Sequence, residues 1–319
     1  MAERSKRIEM YDSNKINNIN EETKKLFKKY KIDMELRELS PSTIAAYESD
    51  LSQWFVYIYD NQGNQSITDL DEDDLTEFFY YCKTEGNNSR RMKRRMSSIS
   101  ALYNYLMKKR LIRENPMMFI DRPKKDVDVT VQTFLNKEQV EFMEQKLQEY
   151  TDNHDGNCQL QTYALFSLST MARVTAVSNI KWDQIDFENR VCNDVLEKEG
   201  KIVTLYFNPK VTVLLQKLKQ YRIDNNIDDG GYVFITAIKT KADAGTLFEW
   251  SKKIGKMINV PTLHPHDFRH SGSQLLKLAG CPIEEISELL HHSNLDVTKK
   301  FYLRPDQNKI RELKDKFEI

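Results

Sequence analysis

The sequence predicts a mainly α-helical protein of two domains, the second carrying a small antiparallel β-sheet. Three features predict it. The front of the chain holds successive apolar patterns at helical spacing, the second closed by Gly86 and a short last segment by Asn115-Pro116. A charged stretch without apolar periodicity follows, RPKKDVDVTVQ at 122–132, and reads as a linker. Beyond Asn136 helical patterns are interrupted between Ile185 and Phe207, where residues alternate around Glu199-Gly200 as in a hairpin. The 319 residues leave room for about two domains of roughly 100–200 residues each.

Residues 1–33 are polar and helical in part, with too little apolar surface to fold alone, and read as an N-terminal extension. A helical domain is expected over 34–121. Ser40-Pro41-Ser42-Thr43 is a helix start, with a capping hydroxyl and a proline in the first turn. Ile44, Tyr47, Leu51, Trp54 and Phe55 then recur on one helical face. DEDDLTEFFYYCKTEG predicts a second helix, and Ser89 to Lys109 a third whose core face includes Leu102, Tyr103 and Leu106. The second domain is expected over 133–319. KEQVEFMEQKLQEY, LQTYALFSLSTM and VTVLLQKLKQYRIDNN read as helices, and helices dominate from Leu247 onward.

Composition excludes several classes. Charged residues make up 30% and the hydrophobic set 39%, as in ordinary globular proteins. No apolar run reaches the ~18 residues of a membrane span, and MAERSKRIEMYDSN has no apolar core of a secretory signal. The four cysteines, Cys82, Cys158, Cys192 and Cys281, show no CxxC spacing and read as reduced and structural, so a cytoplasmic location is expected. The formal net charge is zero, but it is unevenly spread. Between Asn87 and Lys125 twelve Lys/Arg face two acids, Glu114 and Asp121, whereas DLDEDDLTE at 69–77 is almost wholly acidic. The third helix holds Arg90, Arg91, Lys93, Arg94 and Arg95. At 100° per residue Arg91, Arg94 and Arg95 can share a face. Such a face is either a solvated charge run or a surface laid against a DNA backbone.

Five of the six histidines lie between His264 and His292, around Arg269. His266 and Arg269 are three apart in HDFRH, side by side on a helix turn. With Arg173 in STMARVTA and His292 in ELLHHS they form a set suited to a phosphate. Arginines offer forked donors to nonbridging oxygens, and imidazoles donate or move protons near neutral pH. His264, His266 and His270 could instead be zinc ligands, but the stretch has no HExxH pattern and no supporting acid other than Asp267.

In these residues the chain resembles the tyrosine recombinase or phage integrase family, over about residues 35–319. TMARVTA matches the family's TGLRxSE-like turn at Arg173, HDFR its HxxR box at His266 and Arg269, and LHHS its LGHS box at His292. The family's lysine lies in a hairpin about 24 residues after the first arginine, which implies Lys198 in LEKEGK, with Lys201 as second choice. SPSTIAAYESDLSQWF and LIRENP resemble the family's core-binding domain. Three departures stand out. His291 occupies the glycine position of LGHS, and Ala176 the acidic position three after the first arginine. The nucleophilic tyrosine usually lies nine residues after the LGHS histidine; here that position is Phe301, and Tyr302 follows.

The resemblance implies a two-domain clamp around duplex DNA and site-specific recombination through a 3′-phosphotyrosyl link, in integration or excision of a mobile element. Arg173 and Arg269 would hold the nonbridging oxygens, Lys198 would protonate the leaving 5′ oxygen, and His266 and His292 would assist. No cofactor or metal is implied. The implied partners are a double-stranded recombination site and further copies of the chain, in a tetramer on two sites. The tail, with Ile310, Leu313 and Phe317 at helical spacing, would dock on a neighbouring protomer. Phenylalanine has no hydroxyl to attack phosphorus. Either Phe301 stands in place of a tyrosine and the chain binds DNA without cutting, or Tyr302 is the nucleophile through a local shift. On one continuous helix Tyr302 would be rotated about 100° from that slot, which favours the non-cutting account. A DNA-binding accessory protein and a type IB topoisomerase are the remaining alternatives.

Overall fold

The computed structural model describes residues 12–124, 134–197, 200–291 and 314. Contacts divide the chain into two compact units, 1–131 and 132–319, each with its own apolar core. Of the expected linker, 122–132, residues 125–132 lie outside the described residues.

The first unit is helical. It runs α1 (Ser13–Ile16), α2 (Glu21–Leu36), α3 (Pro41–Asn61), α4 (Glu72–Thr84) and α5 (Ser89–Lys108), then a 3₁₀ turn at Pro116–Phe119. The starts follow from capping. The Ser40 hydroxyl accepts from the Thr43 N–H at 3.2 Å, and Asp71 and Asp74 cap each other's backbone at the head of α4. Trp54, Phe55, Phe78 and Tyr103 are buried at the centre, each fully buried side chain of this size stabilising by roughly 1.5–3 kcal/mol. The expected division between residues 33 and 34 is corrected. It falls inside α2, whose Leu26, Tyr30 and Met34 are buried in this same core. Their spacing of four makes a stripe along one helix face, so the N-terminal segment packs as part of the unit.

The second unit holds α6 (Lys137–Asp152), α7 (Gln159–Thr170), the short α8 (Val174–Asn179), α9 (Pro209–Asp224), α10 (Ala244–Met257), α11 (Pro265–Leu278) and α12 (Ile283–Leu289). Between α8 and α9 lies an antiparallel sheet of order β1-β2-β3: β1 (Ile185–Asp186), β2 (Val191–Leu196) and β3 (Ile202–Tyr206). Cys192 pairs with Leu205 and Leu196 with Ile202, with a bulge between Cys192 and Val195. Cys192, Val195, Val203 and Leu205 point into the core, and the alternate residues Leu196, Ile202 and Tyr206 are exposed. The mainly helical fold with a small antiparallel sheet is thus as expected. Among the described residues no helix is long and apolar enough to cross a membrane.

Candidate active site

In the second unit the site is built where α7 ends. Thr170 closes that helix, and Met171 turns the chain with φ 53°, in the left-handed region that glycine favours. This is the glycine position of the TGLR-like turn. Held by a larger residue, the same backbone shape costs roughly 1–2 kcal/mol. The buried Met171 side chain offsets part of this by packing with Ile286 and Leu290. The turn delivers Arg173 to the start of α8, with its side chain 28% exposed.

Helix α11 supplies the second arginine. His264 precedes it, and the Asp267 carboxylate accepts from the His264 backbone N–H at 2.8 Å, fixing the start. Arg269 is buried. One guanidinium nitrogen donates to the Met171 carbonyl at 2.6 Å and another to the Leu290 carbonyl at 2.5 Å. Arg269 therefore ties the turn before Arg173 to the end of α12. The approach of α11 to α7 depends on Gly272. A Cβ there would meet the Leu168 carbonyl oxygen and lie 2.7 Å from Met171 Cγ. Gly272→Ala is expected to lower stability by about 1–3 kcal/mol, as overpacking does, and to disturb the Arg269–Met171 bond with it. Urea unfolding measures the first effect; an unchanged midpoint would mean the helices part without cost.

The imidazoles gather around these arginines. His266 lies in the first turn of α11 and is exposed. Protein packed around the ring lowers its pKa first, and His264, Arg269 and Arg173 lower it further. The ring is thus neutral at neutral pH and can both donate and accept. His270, half-buried, is lowered by burial and then by His266, Arg269 and His264. His291 takes φ 51°, the left-handed shape expected where the LGHS box has glycine. Burial lowers its pKa, Glu197 opposes this, and Lys201, Arg269 and Arg173 add to the lowering. His291 Nδ1 lies 3.9 Å from the Glu197 oxygen that pairs with Arg173. Lys201 is exposed at the end of the hairpin, where its carbonyl accepts from the Glu197 N–H at 2.8 Å. Lys198, His292, Phe301, Tyr302 and the tail residues Ile310, Leu313 and Phe317 lie outside the described residues.

One group was missed in the sequence. Glu197, fully buried in its side chain, forms an ion pair with Arg173. The missing acid at Ala176 was the signal that Arg173 needs a counter-charge; its source, 24 residues on, carries no local mark. Among the described residues no group of three or more His, Cys, Asp or Glu side chains could hold a metal ion, the zinc grouping of His264, His266 and His270 included.

In the first unit the basic helix α5 divides its cations. Arg90 and Arg94 are exposed, and Arg91 and Lys93 half-buried. Arg95 does not join them as expected. It is fully buried and donates to Gln53 at 2.6 Å and Asn87 at 3.2 Å. Arg94 pairs with the buried Asp50 at 2.6 Å. Asp50 and Gln53 are three apart on α3, so Arg94 and Arg95 bind α5 to α3. Arg95, with no exposed surface, is a core group and not part of the basic face.

Known proteins resemble this chain in sequence and fold. The N-terminal SAM-like domain of phage integrases matches residues 27–110, and the phage integrase family matches residues 133–309. The chain is 28% identical over 299 residues to tyrosine recombinase XerC of Leptospira interrogans, covering 92% of each chain. It is 26% identical over 281 residues to a tyrosine recombinase of Pseudothermotoga lettingae, covering 86% of this chain and 92% of that one. Its fold matches the Tn1549 transposon integrase in complex with circular intermediate DNA, with a TM-score of 0.69 at 20% identity over 90% of this chain and 97% of that one. A lambda integrase dimer bound to a COC′ core site matches with a TM-score of 0.65 at 13% identity, over 88% of this chain and 95% of that one. With both of its domains matched in order, the chain belongs to the phage integrase family, the tyrosine recombinases.

Proposed function

We propose that the chain is a site-specific DNA recombinase that integrates or excises a mobile element. The observation that carries this reading is that Arg269 binds the turn that presents Arg173, with Glu197 lying between Arg173 and His291. A tyrosine hydroxyl attacks the scissile phosphorus. The new O–P bond forms as the bond to the 5′ oxygen breaks, and Lys198 gives that oxygen its proton. The 3′-phosphotyrosyl link keeps the bond energy for rejoining, so no nucleotide cofactor enters. Arg173 and Arg269 hold the nonbridging oxygens, where charge builds. His266 and His292 position the phosphate and assist proton movement, with Lys201 beside them at the DNA. Arg90, Arg91, Lys93 and Arg94 engage the backbone of the duplex.

Tyr302 is the nucleophile in this reading, which departs from the non-cutting account that one continuous helix through 301 and 302 favours. It is the only tyrosine after Tyr232. Ser293, Asn294 and Asp296, between His292 and Tyr302, are residue types that favour turns, where one added residue costs little. The second reading rests on Phe301, which fills the nine-residue slot: the chain then binds and pairs DNA without cutting it. The test uses a duplex that the protein itself selects from a randomised pool, nicked near the centre of the site. A denaturation-resistant protein–DNA band carries the first reading, and its absence the second.

A tetramer on two such duplexes is the working assembly, joined by the tail. Deleting residues 306–319 is expected to leave binding of one half-site unchanged and to remove paired complexes from native gels. A truncated protein that unfolds would place the tail in its own core instead.

A further inference from the structure

We propose that Glu197 is the positioning residue for Arg173: it supplies from the end of β2 the counter-charge that Ala176 does not, and ties the strand leading into Lys198 to the phosphate-binding arginine. The proposal rests on the recombinase reading for what Arg173 and Lys198 do. The pairing itself stands on the geometry.

Three observations carry it. The Glu197 side chain is wholly buried while Arg173 is 28% exposed, so the carboxylate lies behind the guanidinium and away from solvent. One guanidinium nitrogen is committed to Glu197 Oε2. An arginine fork has five N–H donors, so the others remain for the oxygens of a phosphate. Next, position 176 cannot do this work. Ala176 is fully buried among apolar side chains. Finally, Glu197 also reaches the hairpin end and His291. Its backbone N–H closes the hairpin on the Lys201 carbonyl at 2.8 Å. The same Oε2 that pairs with Arg173 lies 3.9 Å from His291 Nδ1, next in the chain to His292. The other oxygen, Oε1, is buried without a hydrogen-bond partner among the described residues.

The unchanged full chain, Glu197→Gln and Glu197→Asp are compared in two measurements. In the DNA-free protein, the Arg173 guanidinium NMR resonances, assigned with Arg173→Lys, should show hindered rotation in the unchanged chain and in Glu197→Asp, and lose it in Glu197→Gln. On saturating nicked duplex, adduct formation by Glu197→Gln should slow about 10- to 100-fold, the scale of a misplaced reacting group. Duplex affinity should stay within about threefold, and Glu197→Asp should recover much of the rate. Unchanged Arg173 resonances in Glu197→Gln overturn the proposal. So does an unchanged adduct rate, or a rate loss that only follows losses of affinity and thermal midpoint. If the unchanged chain forms no adduct, the recombinase chemistry fails by itself, and the Arg173 resonances still decide the role of Glu197.

Discussion

Tyr302→Phe is expected to abolish the covalent protein–DNA adduct that the unchanged chain forms on a nicked duplex. The effect is total because phenylalanine leaves no oxygen to attack phosphorus, and no other tyrosine follows Tyr232. Duplex binding and pairing should survive, since the hydroxyl enters only the chemical step. Phe301→Tyr sets the register. In a chain that uses Tyr302 it leaves the adduct on Tyr302, mapped by peptide sequencing. If the unchanged chain is silent and Phe301→Tyr alone produces the band, the nine-residue slot is the true one and the chain with Phe301 binds without cutting.

Arg173→Ala and Arg269→Ala should each slow adduct formation by roughly 10²–10³, the usual loss of one transition-state donor. Their stabilities should differ in kind. Arg269→Ala strips two buried carbonyls, of Met171 and Leu290, of their donor. At about 1–3 kcal/mol for each unsatisfied buried group, the urea midpoint should fall markedly. Arg173→Ala instead leaves the buried Glu197 carboxylate without its partner cation, so its loss is electrostatic in origin and exposes no orphaned carbonyl. Arg→Lys at either position keeps the charge and loses the fork, which separates catalysis from stability. Cleavage at the unchanged rate by either alanine form would remove that arginine from the phosphate.

Much of this was legible along the chain because its signals are local. Caps at Ser40 and Asp71, the three-residue step from His266 to Arg269, and the alternation around Glu199-Gly200 each act within a few residues. What failed to show depends on distant partners. Arg95 read as one more surface cation because Gln53, which buries it, lies 42 residues away on α3. The Leu26, Tyr30 and Met34 stripe was masked by the lysines between its members, and its worth depends on a core assembled from α3 and α5. Glu197 was quoted in LEKEGK without a role, since only the folded hairpin brings it to Arg173. Gly272 carried no signal at all, because the tight approach of α11 to α7 exists only in three dimensions.

The two arginines also differ in what a lineage can change around them. Arg269 is held by the carbonyls of Met171 and Leu290, and every amino acid brings a carbonyl. The side chains at 171 and 290 serve the small core they share with Ile286, and the arginine's hold needs only their backbone. Arg173 hangs on a single side chain, which one codon change can delete. Its support must be inherited as a residue or replaced by another acid from some other part of the fold. The anchor of the first arginine is thus the part of this site most open to relocation between descendants.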